Sequence, residues 1–66
     1  MTRAGRYRLL LATGGRPVQH GWWHEEKTGR RNFDTWAREY SSMPDPQVTL
    51  TDEETSETLA EWPEAD

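Results

Sequence analysis

Residues 6–23 read RYRLLLATGGRPVQHGWW, a stretch in which a pair of glycines separates two segments with apolar side chains. Two segments that favour extended structure flank Gly14-Gly15, a pair that can adopt positive φ at both central positions of a tight turn. The pattern predicts a β-hairpin, with residues 6–13 as the first strand and residues 18–23 as the return strand.

A two-residue turn would set the register of this hairpin by simple counting. Pro17 then lies opposite Ala12 at a non-hydrogen-bonded pair, where its missing N–H does no harm. On the side that faces the core, the predicted pairs are Leu11 with Val18, Leu9 with His20, and Tyr7 with Trp22. On the opposite side, they are Leu10 with Gln19, Arg8 with Gly21, and Arg6 with Trp23.

The hydrophobic period changes after the hairpin. Phe33, Trp36, Ala37 and Tyr40 follow the spacing i, i+3, i+4, i+7, which is typical of one face of an α-helix. The pattern predicts a helix over about residues 26–40, which the prolines that follow it terminate. Gly29 lies on the same face, and we expect it to let a bulky side chain, such as a tryptophan of the sheet, approach closely.

The acidic last third predicts a second hairpin. Residues 47–51 and 58–62 alternate as strands do, and an acidic turn joins them. A type I turn followed by a bulge at Ser56 pairs Val48 with Trp62 and Leu50 with Ala60. In this register Leu59 points to the side of the sheet away from the helix.

These elements predict an α+β domain of order ββαββ: two β-hairpins around one α-helix, in a largely antiparallel four-stranded sheet with the helix on one face. The domain is expected to span residues 6–62, with a flexible N-terminus over 1–5 and an acidic tail over 63–66. The strand order stays open. The expected inner layer comprises Tyr7, Leu9, Leu11, Val18, Trp22, Phe33, Trp36, Tyr40, Val48, Leu50 and Trp62.

The 66-residue chain has a net charge of −4, which hides a strong polarity. Residues 1–40 carry eight basic and four acidic groups, net +4, whereas residues 41–66 carry eight acidic groups and no base, net −8. We expect both halves to meet on one sheet, with Arg6 and Arg8 opposite Glu61. Because the chain has no cysteine, disulfides and thiolate zinc sites are excluded, and with no long apolar segment we expect a cytoplasmic protein.

Three motifs of the chain resemble a group of small uncharacterised actinobacterial proteins. The residues that carry the resemblance are HGWW at 20–23, FDTW at 33–36, and VTLTDEET at 48–55 followed by Trp62-Pro63. The chain departs from the pattern of the group at Ser56, where a turn glycine is usual, and at Gly29, where an alanine is usual. The resemblance implies one compact domain and no particular activity.

Neither metal binding nor catalysis has a convincing set of residues. His20 and His24 lie close to Glu25 and Glu26, but His20 is predicted within a strand and His24 at the helix entry, so their spacing is not that of a helical zinc site. No nucleophile has a base and an orienting group in reach. We therefore expect a protein that is not an enzyme and that has no metal or cofactor.

Nucleic-acid binding is the alternative function. Lys27 and Arg31 lie on the solvent side of the predicted helix, and Arg6 and Arg8 lie beside Trp23 on the sheet. Arginines next to exposed aromatic rings are typical of single-strand binding. The acidic hairpin in the same sheet argues against it, because it would repel phosphate.

Protein interaction is the favoured function. In the predicted registers Leu10, Trp23 and Leu59 all point away from the helix, edged by Arg6 and Arg8. Exposed apolar side chains within a polar rim mark interfaces, and tryptophan is a common anchor. The sequence thus predicts a non-catalytic interaction module that binds a protein partner or a second copy of itself. The alternative is that these apolar residues are merely scattered over the surface.

Overall fold

A computed structural model describes residues 5–63 and shows an α+β fold of order ββαββ, as predicted. The four strands form one open antiparallel sheet, and a single helix packs on one of its faces. The elements are β1 (Tyr7–Thr13), β2 (Arg16–Trp23), α1 (Glu26–Glu39), β3 (Pro46–Asp52) and β4 (Glu57–Trp62).

The strand order is β2-β1-β3-β4, so the first strand of each hairpin lies in the centre of the sheet. Because the central strands have neighbours on both sides and the helix above them, they supply most of the core. Four side chains in the core are completely buried: Leu9, Leu11, Val48 and Leu50. Tyr7 and Trp36 complete the buried cluster.

The turn of the first hairpin forms as predicted, but the predicted strand register beyond the pair of Ala12 and Pro17 is wrong by one residue. Gly14 and Gly15 have φ of 56° and 80°, and Pro17 pairs with Ala12. The next pair, however, joins Leu11 to Gln19, so the intervening residue of β2 forms a bulge. Since side chains alternate with a period of two, one extra residue moves every later side chain of β2 to the other face.

Because of this bulge, Trp22 and Trp23 each lie on the side of the sheet that was predicted for the other. Trp23 now lies on the helix side, where its ring packs edge-on against Trp36 with centroids 6.2 Å apart. Trp22 and Val18, which we expected in the core, are 41% and 52% exposed. The register also moves His20 from the expected core face to the solvent side, which avoids burying a polar ring without a partner.

The second hairpin keeps two of the predicted pairs, but its bulge lies at Leu59 and not at Ser56. Ser56 has the positive φ of 61° that the turn requires. The predicted pairs of Val48 with Trp62 and Leu50 with Ala60 are confirmed. Thr51 then pairs with Thr58 instead of Leu59, and the bulged Leu59 packs against the core cluster. The prediction that Leu59 points away from the helix is therefore wrong.

Helix α1 lies across the sheet through its apolar face. It ends at Glu39, one residue earlier than expected, where the backbone N–H of Tyr40 donates to the carbonyl of Trp36. Gly29 is buried, and a Cβ there would lie 3.2 Å from Cδ1 of Leu50. The glycine thus makes room for a leucine of β3 and not for a tryptophan.

The two ends of the chain are described only in part. Gly5, which we placed in a flexible N-terminus, is buried, and a Cβ there would lie 2.6 Å from the backbone N of Trp23. Residues 1–4 of that expected N-terminus and residues 64–66 of the expected acidic tail lie outside the described part of the chain.

Candidate functional site on the open sheet face

The helix covers one face of the sheet, and the side chains that alternate with the core residues lie on the other. Strand pairing aligns eight of them in two rows across the sheet, and we call these residues the open face. In the order β2, β1, β3, β4, the first row is His20, Leu10, Thr49 and Glu61. The second row is Trp22, Arg8, Thr51 and Thr58.

Large side chains occupy the half of the open face formed by β2 and β1. The rings of His20 and Trp22 stack with centroids 5.5 Å apart and an interplanar angle of 16°. Leu10 and Arg8 are half-buried beside them, whereas both rings are exposed. This half therefore presents an aromatic pair and an aliphatic side chain to the surroundings.

Short side chains occupy the half formed by β3 and β4. Thr49, Thr51 and Thr58 each end at Cγ or Oγ, and Glu61 is the one long side chain among the four residues of this half. Threonine is well suited to a strand because its branched Cβ fits the pleated surface. The side chains of the open face consequently extend further from the sheet along β2 and β1 than along β3 and most of β4.

An ion-pair cluster closes the end of the sheet where β1 begins and β3 ends. Arg6 donates from Nε and Nη2 to the two carboxylate oxygens of Asp52, each at 2.8 Å. Asp52 also accepts from the backbone N–H of Glu54 at 3.0 Å. The hydrogen bonds from Arg6 are the main reason that the pKa of Asp52 falls from its usual 3.8 to about 2. The same pair raises the pKa of Arg6.

Arg8 lies next to this cluster on the open face. Its Nε is 3.6 Å from Oε1 of Glu53, which is an ion pair but too long for a hydrogen bond. Among residues 5–63, this buried Nε has no hydrogen-bond acceptor. Within this range the carboxylate of Glu53 therefore compensates the charge of Arg8 without a hydrogen bond to Nε.

The structure therefore corrects the expected partners of the two arginines. We expected Glu61, but the carboxylates that contact Arg6 and Arg8 are those of Asp52, Glu53 and Glu54. The reason is the strand order. The end of β3 lies directly beside the start of β1, whereas β4 is one strand further away.

The five residues predicted to form an interface do not lie together. Leu10 and Arg8 are on the open face, and Arg6 is tied to Asp52 at its end. Trp23 and Leu59, in contrast, pack against the core cluster, so their predicted placement on this surface is wrong.

Sequence analysis missed Trp22 and His20 as members of the surface. A signal was available, because the counted register placed a histidine opposite Leu9 in the core. Burying a polar ring there without an assigned partner is costly. A bulge between Pro17 and His20 removes this conflict, and it brings Trp23 inward at the same time.

The residues considered for other kinds of site are dispersed. His20 is on the open face, and His24 is exposed after the end of β2. Within the described range 5–63, no three histidine, aspartate or glutamate side chains converge as metal ligands. Lys27 and Arg31, considered for nucleic-acid binding, are exposed on the helix.

Comparisons of the chain with protein-family models, with curated proteins and with solved structures gave no match. The resemblance to small actinobacterial proteins therefore stays a prediction. In the described part of the chain, the helix is too short and too polar to cross a lipid bilayer.

We expect the ion pair of Asp52 to make the stability of the fold depend on acid pH. The folded pKa of about 2 lies below the usual 3.8, so the folded state favours the ionised carboxylate. This contribution is complete above the unfolded pKa and is lost as the pH falls from about 4 towards 2. Urea denaturation at several pH values in this range measures it.

Asp52→Asn is the matched variant for this experiment, with Glu57→Gln as the control at an exposed position. The asparagine variant should be less stable at neutral pH, and the part of its acid dependence that comes from residue 52 should disappear. An unchanged pH profile in Asp52→Asn would contradict the assignment to this carboxylate.

Proposed function

We propose that the protein is a small, non-catalytic protein-interaction module that binds its partner through the open face. The observation that carries the proposal is the exposed His20–Trp22 stack beside Leu10, on a sheet face that no described element covers. A sheet covered on one face usually presents polar side chains to water on the other. Apolar and aromatic groups rimmed by polar ones are typical of an interface.

The edges of the sheet are unsuited to pairing with another chain, and this supports docking through the open face. An exposed strand edge invites pairing with another chain, and natural proteins prevent this with bulges and proline. Both edge strands carry a bulge, one near Val18 and one near Leu59, and Pro17 lies on edge strand β2. The edges are thus poor templates for another strand, which leaves the face as the better surface.

Nucleic-acid binding stands second for an electrostatic reason. Arg6 and Arg8 are both engaged by carboxylates within the chain, and Trp23, the proposed stacking ring, packs inside. A phosphate would have to compete with Asp52 and approach Glu53 and Glu54. The cations that remain on the helix, such as Lys27, lie on the opposite side of the molecule from the open face.

We also propose that the module acts in the cytoplasm. Core packing and ion pairs stabilise the fold, and the chain contains no cysteine, so it has no disulfide that a reducing compartment would break. A reducing environment therefore costs it no stability.

Photo-crosslinking from the open face tests the proposal. A small aliphatic diazirine amino acid, which keeps the side chain short, replaces Thr49, which is half-buried between Leu10 and Glu61. The matched control places the same group at Arg31 on the exposed side of the helix. Illumination of the purified protein and of a lysate of the cells that naturally produce it should give a discrete protein adduct from position 49.

The control at position 31 should give no such adduct. If position 49 yields no adduct in either sample, or if both positions yield the same adducts, the proposed function is wrong. Adding Trp22→Ala to the position 49 variant should abolish the adduct, because it removes the exposed anchor while the core stays intact.

A further inference from the structure

We infer that the partner on the open face is a second copy of this chain, related by a twofold axis that runs parallel to the strands. The inference rests on the proposed function and specifies the partner. It follows from the two halves of the open face, which complement each other in the length of their side chains and in their hydrogen-bonding groups.

A twofold interface places the same surface on both subunits, so each residue that contacts another is contacted by it in return. An axis parallel to the strands and midway between β1 and β3 places β2 of one copy over β4 of the other. It also keeps residues of the same row at the same height. Sheets stacked face to face keep their strands within about 30° of each other, which this axis permits.

The heights of the side chains fit this arrangement. Trp22 of one copy lies over Thr58 of the other, and Leu10 lies over Thr49. In three of the four pairs a large side chain thus meets a threonine, so the two surfaces can interdigitate at the usual sheet spacing of about 10 Å. An axis perpendicular to the strands would place β2 over β2, so that the aromatic pairs collide while the threonine halves leave a gap.

The polar groups fit as well. His20 and Glu61 are at opposite ends of the first row, both exposed, and the twofold places each opposite the other in the partner copy, where a ring N–H of His20 can donate to the carboxylate. The perpendicular axis would instead bring the two Glu61 carboxylates together. Arg8 lies over Thr51 of the second copy, so a cation that is already paired with Glu53 meets a short, neutral side chain.

The size of the face indicates a reversible dimer. Four strands at about 4.8 Å and some six residues at about 3.4 Å give a projected area of roughly 400 Å². A standard stable interface buries about 800 Å² per partner, so this one belongs to the weak and transient class. The net charge of −4 on each copy also limits its strength.

Sedimentation equilibrium between about 10 µM and 1 mM should show a reversible monomer–dimer equilibrium, the range in which so small an interface associates. Trp22→Ala should weaken the dimer by about 30-fold or more, because the anchor is lost twice in a symmetric pair. Lys27→Glu, on the exposed side of the helix, should leave the dissociation constant unchanged.

A charge exchange tests the orientation. Glu61→Lys should weaken the dimer by about tenfold, since it removes the hydrogen-bond acceptor opposite His20, and the double variant His20→Glu with Glu61→Lys should restore it as an ion pair. Both positions are exposed, so these variants should fold normally. Failure of the double variant to recover would overturn the proposed twofold.

Crosslinking supplies a geometric test, because the chain has no cysteine of its own. His20→Cys and Glu61→Cys proteins are mixed and treated with a short bismaleimide. The proposed axis places positions 20 and 61 of different copies about 10 Å apart, but the two copies of position 20 about 17 Å apart. Crosslinks should therefore join 20 to 61 and not 20 to 20.

The outcomes separate this inference from the proposed function. Crosslinks between two copies of position 20, or a protein that stays monomeric at 1 mM, overturn the dimer. If the monomeric protein still gives an adduct with another protein from position 49, the interaction function survives with a different partner. A single-stranded oligonucleotide that shifts the NMR signals of Trp22 in a monomeric protein would overturn both.

Discussion

We expect Trp23→Ala to lower the free energy of unfolding by about 3 kcal/mol or more, as truncation of a packed tryptophan does. The ring of Trp23 contacts Trp36 edge-on and lies over Gly21 on the helix side of the sheet. A domain of this size has only about 3–10 kcal/mol of total stability. The variant should therefore lose a large share of its stability, as urea denaturation followed by circular dichroism would show.

Trp22→Ala is the matched control, since it removes the same ring from the next residue. We expect it to cost about 1 kcal/mol or less in the monomer, because its ring is 41% exposed and stacks only on His20. A large loss for Trp22 with a small loss for Trp23 would mean that β2 has no bulge at Val18. The register would then be the one that simple counting predicts.

We expect Gly21→Ala to destabilise the fold by about 1–3 kcal/mol, even though alanine is normally better than glycine within a strand. Gly21 opposes Leu9 on the core side of the sheet, and a Cβ there would lie 2.9 Å from Cζ3 of Trp23. The indole would have to move away from Trp36. Denaturant titration of the purified variant measures the loss.

The same substitution in a Trp23→Leu background gives the decisive comparison. With the indole removed, the new methyl group has space, and alanine should stabilise the strand by about 0.5–1 kcal/mol. The effect of Gly21→Ala should thus change sign between the two backgrounds, which is a direct coupling between neighbouring residues. Equal effects in both backgrounds would show that the ring does not lie over Gly21.

Elements defined by local chemistry could be predicted from the sequence. Gly14 and Gly15 form the expected turn because they reach positive φ without steric cost, and Pro17 lies opposite Ala12. The helix follows from its apolar spacing, and Ser56 has the positive φ that was expected of its turn. In each case the deciding interactions lie within a few residues of each other or follow from a single turn.

The composition of the open face could not be predicted in the same way. Leu10 was placed correctly because β1 has no bulge in its own backbone, but Trp22, Trp23 and Leu59 were not. Each of these three follows a bulge or forms one. A bulge forms when the improved packing of later residues outweighs the lost ladder pairing, and that packing involves the helix and the neighbouring strands.

Backbone preferences, hydrophobic period and composition suffice to predict the element order, the turns, the helix and the charge polarity. Contacts between distant elements determine which tryptophan enters the core and which carboxylates bind the arginines. The physical reason is that side chains in a strand alternate with a period of two. One extra residue, accepted so that Trp23 meets Trp36 and His20 stays in solvent, therefore reverses the face on which each later side chain of β2 lies.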